Sequence, residues 1–491
     1  MRQRFDQQLH LGIQPIMEVQ LPLKSRDELP PILRGLQYIF GTPCLNEKIF
    51  VLLEEKMCEG KKKTGRKGMD LWHILVLAVI RHGLNTNWDR LELMANHDTL
   101  IRKILGVHTT SFGAAEVEFS YQSILDNVIE VDEELLKKIN QLVVDAGHEL
   151  LKKKDQERKV LELKTDSYAL ETNVHFPTDL NLLWDSARKC VDMVEGLQKE
   201  LSLPLPGWRK VKHIRRTIKS KFRKASHQVF AGKNEKQKRE SVKEYLQQVA
   251  LLQIRCEQIE KTIPIITPKA MILLVELRQY IAYVKKFSDQ IERRLLKGEV
   301  IAAEEKLYSI FEPHTEWIYK GKKNNTVELG HLLLITTDQH QFIIDYHIMK
   351  GEKDASQISP LLERLNKNFS GAQIGSHSFD KGFWSKVNLE TLQTDSTKLV
   401  VLPKRGKHSK ADEQRESDKK FKAKRNAHSA VESNINMLEH HGLNRCMDKK
   451  LRGYKRCVGL SILSYNLHIL GNALQAQDRR AVEKVALRQA A

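Results

Sequence analysis

Apolar residues recur at the i, i+3, i+4 spacing of a helix in DLWHILVLAVIRHG, at positions 71, 74, 75, 78 and 79, with Asp70 placed to cap it and Gly83 to stop it. After the polar turn Asn85-Thr86-Asn87, WDRLELMANH and DTLIRKILG give two shorter helical patterns, the second opening on Asp98 and closing on Gly106. Residues 121–154 continue as helix. The period then changes: in VLELKTDS, residues 160–167, Leu161, Leu163 and Thr165 alternate with Glu162, Lys164 and Asp166, which predicts a strand ending at Asp166. Strand patterns return with HLLLITTD (331–338) and QFIIDYHIM (341–349), which flank a Gln339-His340 step and predict a hairpin whose turn lacks glycine. DASQISPLLERLNKN predicts a helix, AQIGSHSFD a strand ending at Asp380, KLVVLP another strand, and helices from about residue 425 close the chain. That order predicts a mixed α/β fold. Between the first strand and the hairpin lie about 130 residues that are helical by pattern. Asp179 is placed to cap LNLLWDSARKCVDMVEGLQKEL, the Pro204/Pro206/Gly207 turn ends that helix, and Thr267-Pro268 opens another, which together predict an antiparallel helical insertion.

Composition adds a partner. The 491 residues hold 81 Lys and Arg against 62 Asp and Glu, a net charge of +19, and 41% are hydrophobic, which is enough to build cores and excludes a chain disordered throughout. Such an excess of positive charge repels itself unless a polyanion neutralises it, so nucleic acid or an anionic membrane is the expected partner. The most apolar runs are Leu71–Ile80, too short for a bilayer, and Val458–Leu474, interrupted by Asn466 and His468. No membrane span is expected, which leaves nucleic acid. The six cysteines form no C-x-x-C pair and the N-terminus lacks a signal-like apolar stretch, so reduced thiols inside the cell are expected. Four basic stretches are candidates for phosphate contact: 61–67 with Arg66 and Lys67; 209–224 with Arg209, Lys212, Arg215, Arg216 and Lys219; 320–323 with Lys320 and Lys322; and 404–407 with Lys404, Arg405 and Lys407. Such contacts position nucleic acid without reading its sequence. The three compact helices of residues 70–106 suit either a helix-turn-helix-like DNA module or an ordinary small bundle.

Against this background three acids stand out. Asp166 and Asp380 lie at predicted strand ends and Glu432 lies in the helical stretch NAHSAVESNINMLEHHGLNRC. Oxygen ligands suit hard cations, and two such ions about 4 Å apart can activate water or a 3′-hydroxyl while stabilising the leaving oxygen at phosphorus. The segments LKTDSYALETNVHFPTDLNLLWD, EPHTEWIYKGKKNNTVELGHLLLITTD, GSHSFDKGFWS and RNAHSAVESNINMLEHHGLNRC, with TGRKGMDLWHILVLAVIRHGLNTNWDRLELMANHDTLIRKILGV before them, together resemble a DDE-type bacterial insertion-sequence transposase of the ISNCY-like group.

The resemblance implies an RNase H-like catalytic domain in which the first and fourth strands are neighbours. It makes Asp166, Asp380 and Glu432 the catalytic, metal-binding acids for two Mg²⁺ (or Mn²⁺) ions. It also implies double-stranded DNA partners (terminal inverted repeats and a target), a homodimer or larger synaptic complex, and a place on the nucleoid in the bacterial cytoplasm. A related group of transposases carries Tyr, Arg and Lys seven before, four before and seven after this Glu; here Arg425, His428 and Glu439 stand there. Arg425 is then a candidate DNA contact, and His428 and His377 candidate phosphate contacts or packed histidines. The expected organisation is an extension (1–60), the helical module (61–155), a catalytic domain (156–179 and 311–475) split by the helical insertion (180–310), and a tail (476–491). A transposase-derived regulator that binds DNA without cutting it, and an RNase H-like nuclease that cuts without joining, are the alternatives.

Overall fold

The computed structural model describes residues 2–5, 7, 13–60, 68–109, 117–152, 160–263, 267–319, 327–395 and 397–490. It forms two compact units, residues 1–173 with 318–491, and residues 174–317. The first is a predominantly helical N-terminal region followed by a mixed β-sheet with interspersed helices, an α/β architecture.

The N-terminal helices are α1 (Leu29–Gly41), α2 (Pro43–Cys58), α3 (Leu71–Gly83), α4 (Trp88–His97), α5 (Thr99–Leu105), α6 (Tyr121–Val128) and α7 (Glu133–Leu151). Asn87 and Asp98 cap α4 and α5, their Oδ1 atoms accepting from the backbone N–H of Arg90 at 2.8 Å and Ile101 at 2.9 Å. Asp70 stands at the N-cap of α3 but its side chain makes no capping bond. Every residue of α3 is buried, so this helix is a central core element with no face left for DNA. Its cover includes a helix from the far end of the chain, α17 (Lys450–Ala490), which packs along α1, α3 and α7. Leu75 and Leu105 share one apolar core with Leu161 and Leu163 of the sheet and Leu467 of α17. The described helices α3 to α7 therefore belong to one compact unit with the sheet. Among the described residues α17 is long and apolar enough to cross a membrane, and most of its apolar stretch is buried in this core.

The sheet is built from β1 (Val160–Thr172), β2 (Glu316–Tyr319), β3 (Val327–Thr337), β4 (Ile343–Ile348), β5 (Gln373–Phe379), β6 (Val400–Val401) and β7 (Arg445–Cys446). β1 lies between β3, antiparallel to it, and β5, parallel to it; β4 pairs antiparallel with β3, and β6 parallel with β5. The hairpin of β3 and β4 turns over Asp338 to Phe342, and Gln341, at φ 71°, takes the left-handed position that glycine usually fills. The Asp338 carboxylate holds the turn by accepting from the N–H groups of His340 and Phe342.

One expectation is corrected here. Asp166 does not end β1: the strand runs on to Thr172, still paired with β3 down to Glu171 opposite Gly330. Burial along β1 changes phase at this point. Leu161, Leu163 and Thr165 are buried on one face, then Tyr168, Leu170 and Thr172 on the other, with Asp166 and Ser167 half-buried between them. The first set faces the core shared with the N-terminal helices; Tyr168 and Leu170 face a second core with Val431, Leu438 and α17. A strand that exchanges its buried face breaks the simple alternation, which is why the pattern appeared to stop. Pairing beyond that point needs Gly330, where a Cβ would stand 1.9 Å from the Leu170 carbonyl oxygen.

The second unit contains α8 (Asp179–Leu201), α9 (Val211–Ala231), α10 (Glu235–Thr262) and α11 (Pro268–Ile291) around a separate core that includes Leu183, Trp208, Tyr245 and Phe287. Thr178, not Asp179, caps α8, its Oγ1 accepting from Asn181 N at 3.1 Å. Thr267 caps α11 ahead of Pro268 as expected. The unit spans 174–317 where 180–310 was expected.

Candidate active site

The parallel register of β1 and β5 pairs Lys164 with Ser378 and Thr165 with Phe379. The next residues are Asp166, still within β1, and Asp380, just past the end of β5, so the first two predicted acids follow the same paired position of neighbouring parallel strands. Asp380 is exposed and opens a short 3₁₀ turn, its Oδ1 accepting from Gly382 N at 2.6 Å. The third acid arrives on α16 (Ala430–Leu438), which packs on β1. Val431, Asn434 and Leu438 bury one side of α16. Glu432, one residue on from Val431 and so about 100° around the helix, is left exposed beside the covered end of β1.

A fourth acid joins them. Asp354 precedes α12 (Ile358–Asn368) and accepts a hydrogen bond from Ser167 Oγ at 2.7 Å. A Cβ placed on Gly382 would stand 2.9 Å from Asp380 Oδ1 and 3.0 Å from Asp354 Oδ2, so the two carboxylates flank that glycine. Asp354 opens DASQISPLLERLNKN and reads in the sequence as an ordinary helix start. Helix α12 begins four residues later, which frees Asp354 to face the strand.

Burial, together with the charges of Asp380, Asp354 and Glu432, pushes the Asp166 carboxyl up to about 7, against the pull of the hydrogen bond from Ser167 N. Burial and Asp380 also raise Asp354, opposed by Ser167. None of the four acids makes an ion pair with a described Lys, Arg or His, although the chain carries a charge of +19. Lys164, two residues before Asp166, is held below its ordinary pKa by burial and by Lys424, which pairs with Glu162 at 2.5 Å. No protein-family model, curated protein or solved structure matches the chain. The functional reading therefore rests on the residues themselves.

The donors are all carboxylate oxygens, half-buried to exposed, repelling one another and lacking a counter-ion among the described residues, which fits a hard divalent cation. Among the described residues no three His, Cys, Asp or Glu side chains already surround a common point as ligands. The acids are gathered but not closed, and a bound cation would have to draw them together.

The two histidines differ. His377 is fully buried; its Nε2 shares a 2.8 Å hydrogen bond with Thr165 Oγ1, which in turn bonds Thr336 Oγ1 at 2.8 Å, and its ring lies against Phe379. Burial, helped by His428, pushes it down to about 3. It has no surface from which to reach a phosphate, and instead ties β5 to β1 beneath the acids. His428, half-buried after α15 (Lys419–Ala427), shares a 2.9 Å hydrogen bond with Ser378 Oγ. Burial lowers its pKa while Asp380 and Glu432 pull it up, so the ring stands in the field of the site.

The basic candidates separate as well. Arg425, Arg405 and Lys407 are exposed. Lys404 is tied down: its Nζ donates to Asp412 at 2.5 Å and its backbone N–H to Glu416 at 2.8 Å. Arg215 pairs with Asp192 at 2.7 Å and Glu195 at 3.0 Å, whereas Arg209, Lys212, Arg216 and Lys219 are exposed and unpaired among the described residues. Lys404 and Arg215 are thus neutralised by their own fold. Arg66, Lys67, Lys320 and Lys322 lie outside the described residues.

Proposed function

We propose that this protein is a DDE-type transposase with an RNase H-like catalytic domain, which binds the terminal inverted repeats of its own element and cuts and joins DNA at one divalent-metal site. The observation that carries the reading is that Asp166 in a strand and Asp380 at the end of its parallel neighbour hold adjacent positions, while Glu432, on a helix packed on that strand, adds its charge to the field at Asp166, none of the three ion-paired with a described residue, in a strongly basic chain. In the seven-stranded sheet, ordered β2-β3-β1-β5-β6 with β4 also paired to β3 and β7 to β1, the antiparallel contacts of β4 with β3 and of β3 with β1, followed by the parallel contacts of β1 with β5 and of β5 with β6, support the RNase H-like assignment.

Asp166, Asp380 and Glu432 would hold the cations, Mg²⁺ or Mn²⁺, with Asp354 beside them. Such ions supply activation of water or a 3′-hydroxyl and neutralise charge on the leaving oxygen. Ser167 orients Asp354, and the Thr336-Thr165-His377 chain fixes the strands that carry the first two acids. Cleavage and strand transfer are both in-line displacements at phosphorus, so one set of acids serves both. Two DNA ends must be held together, which implies a homodimer or larger synaptic complex.

The test is incubation with end-labelled terminal-repeat duplex and Mg²⁺ or Mn²⁺. Wild type yields a nicked product and then a joined one, while Asp166→Ala and Glu432→Ala yield neither and still bind. Cleavage by either variant at the wild-type rate would refute the assignment; cleavage by wild type with no joined product would favour a nuclease, and binding without cleavage a DNA-binding regulator.

A further inference from the structure

The basic run 209–224 holds nine Lys and Arg, and folding divides them. Arg215 pairs with Asp192 and Glu195 of α8, and Lys221 and Lys224 pair with Glu244 of α10 at 2.9 and 3.0 Å. Arg215 and Lys221 lie toward the packed side of α9, where Ile218 and Ala225 are buried and Phe222 stacks on Trp184 at 5.8 Å, while Lys224 is exposed on another flank and held there by its ion pair. Arg209, Lys210, Lys212, Arg216, Lys219 and Arg223 are exposed and make no ion pair with a described residue.

Four of the six form a line. At about 100° per residue, Lys212, Arg216, Lys219 and Arg223 fall within an arc of about 60° on α9, opposite the buried side. From first to last they rise about 17 Å at 1.5 Å per residue. A strand of B-form DNA carries one phosphate per about 3.4 Å of axis, so that length faces about five phosphates.

We propose that this face of α9 is a track for the phosphate backbone of double-stranded DNA, engaged through Lys212, Arg216, Lys219 and Arg223 without regard to sequence. The inference rests on the reading of the chain as a DNA-binding protein, but not on catalysis by the acids. Charge complementarity selects the partner class, and the rest of the face narrows it. An amphipathic helix seated in a membrane would bury apolar side chains interleaved with the cations in the lipid. Between Lys212 and Arg223 no large apolar residue is exposed, and the first on that line is Phe230. A single strand would need exposed aromatic rings among the cations, on which bases stack; between Lys212 and Arg223 the ring of Phe222 is packed on Trp184, and the exposed Phe230 lies beyond the last of the four cations. Lysines and arginines as point charges on a straight helix suit backbone contact, which positions DNA without specifying it.

The experiment measures binding of the full chain to a random-sequence duplex by fluorescence anisotropy, without divalent ions, across a salt series. Each phosphate contact contributes about 0.9 to the slope of log affinity against log salt. The variant K212Q/R216Q/K219Q/R223Q should lower that slope by about 3 to 4 and weaken binding about a hundredfold at low salt, equally on AT-rich and GC-rich duplexes. R216K/R223K should keep the slope, because a lysine serves as a phosphate contact. The comparison variant R215Q/K221Q/K224Q should change it by less than about one contact's worth. An unchanged slope in the quadruple variant, an equal loss in both multiple variants, or a loss confined to one sequence would overturn the proposal. So would loss of binding to phosphatidylserine vesicles or single-stranded DNA in the quadruple variant with duplex binding intact. Because no cleavage is measured, failure of the catalytic reading leaves a separate signature, duplex binding that persists with no product when Mg²⁺ is added.

Discussion

Replacing Asp166 by asparagine should stabilise the metal-free protein at neutral and alkaline pH. Raising a carboxyl from its ordinary 3.8 to about 7 makes its charged form cost about 4 kcal/mol in the folded state, and water at this half-open site reduces that to about 2–4 kcal/mol. The folded protein keeps this proton over a range where the unfolded chain has lost it. Stability therefore falls as pH rises from about 4 to about 7, then levels. Asparagine keeps the shape and the carbonyl that accepts from Ser167 N but carries no charge, so Asp166→Asn removes that slope. Urea unfolding in EDTA should show the two proteins alike at pH 4 and the variant ahead by about 2–4 kcal/mol at pH 8. Adding Mg²⁺ or Mn²⁺ should reverse the order at pH 8, because a cation that binds only the folded wild type stabilises it by mass action. Parallel pH profiles, or a variant less stable than wild type at pH 8 without metal, would show that burial and the neighbouring acids do not hold the Asp166 carboxyl up as its placement requires.

Three other outcomes follow from named contacts. Gly382→Ala places a methyl group 2.9 Å from Asp380 Oδ1 and 3.0 Å from Asp354 Oδ2, so Mn²⁺ affinity measured by calorimetry should fall at least about tenfold with little change in unfolding midpoint. Asp354→Asn removes one of the charges that raise Asp166; the midpoint for proton release on metal binding should move to lower pH, and activity should drop about 10–100-fold. Asp448 pairs with Arg81 at 2.6 Å and Arg456 at 3.0 Å, all three side chains buried, and Asp448→Ala should cost about 3–5 kcal/mol in urea unfolding by leaving two buried cations without their carboxylate. Arg81, His82 and Arg456 outweigh burial and hold the Asp448 carboxyl below its ordinary range, so this contribution is present at neutral pH and is lost as pH falls through the carboxylate range.

Much of the local structure was legible in the residue order. The helices capped by Asp98 and Thr267, the helix after the polar turn at Asn87, the strand leading to Asp380, the hairpin around Asp338 and the helical insertion all follow from periodicity and capping chemistry, which act within a few residues. What chain order left open depends on neighbours far away in sequence. Asp166 reads as the end of a strand because Leu161 and Leu163 face one core and Tyr168 and Leu170 another, and alternation counts only one buried face at a time. Asp354 reads as a helix start until Ser167, 187 residues earlier, donates to it. The basic run 209–224 is uniform as a sequence; the acids of α8 and α10 decide which of its charges are spent inside the fold and which reach solvent. The sequence by itself determined most of the helices and strands and the excess of positive charge, and singled out three acids, because these depend on residue type and short spacing. Only tertiary structure decided which acids meet, which histidine is sealed beneath them and which cations remain free, because burial and electrostatic coupling are set by what packs nearby.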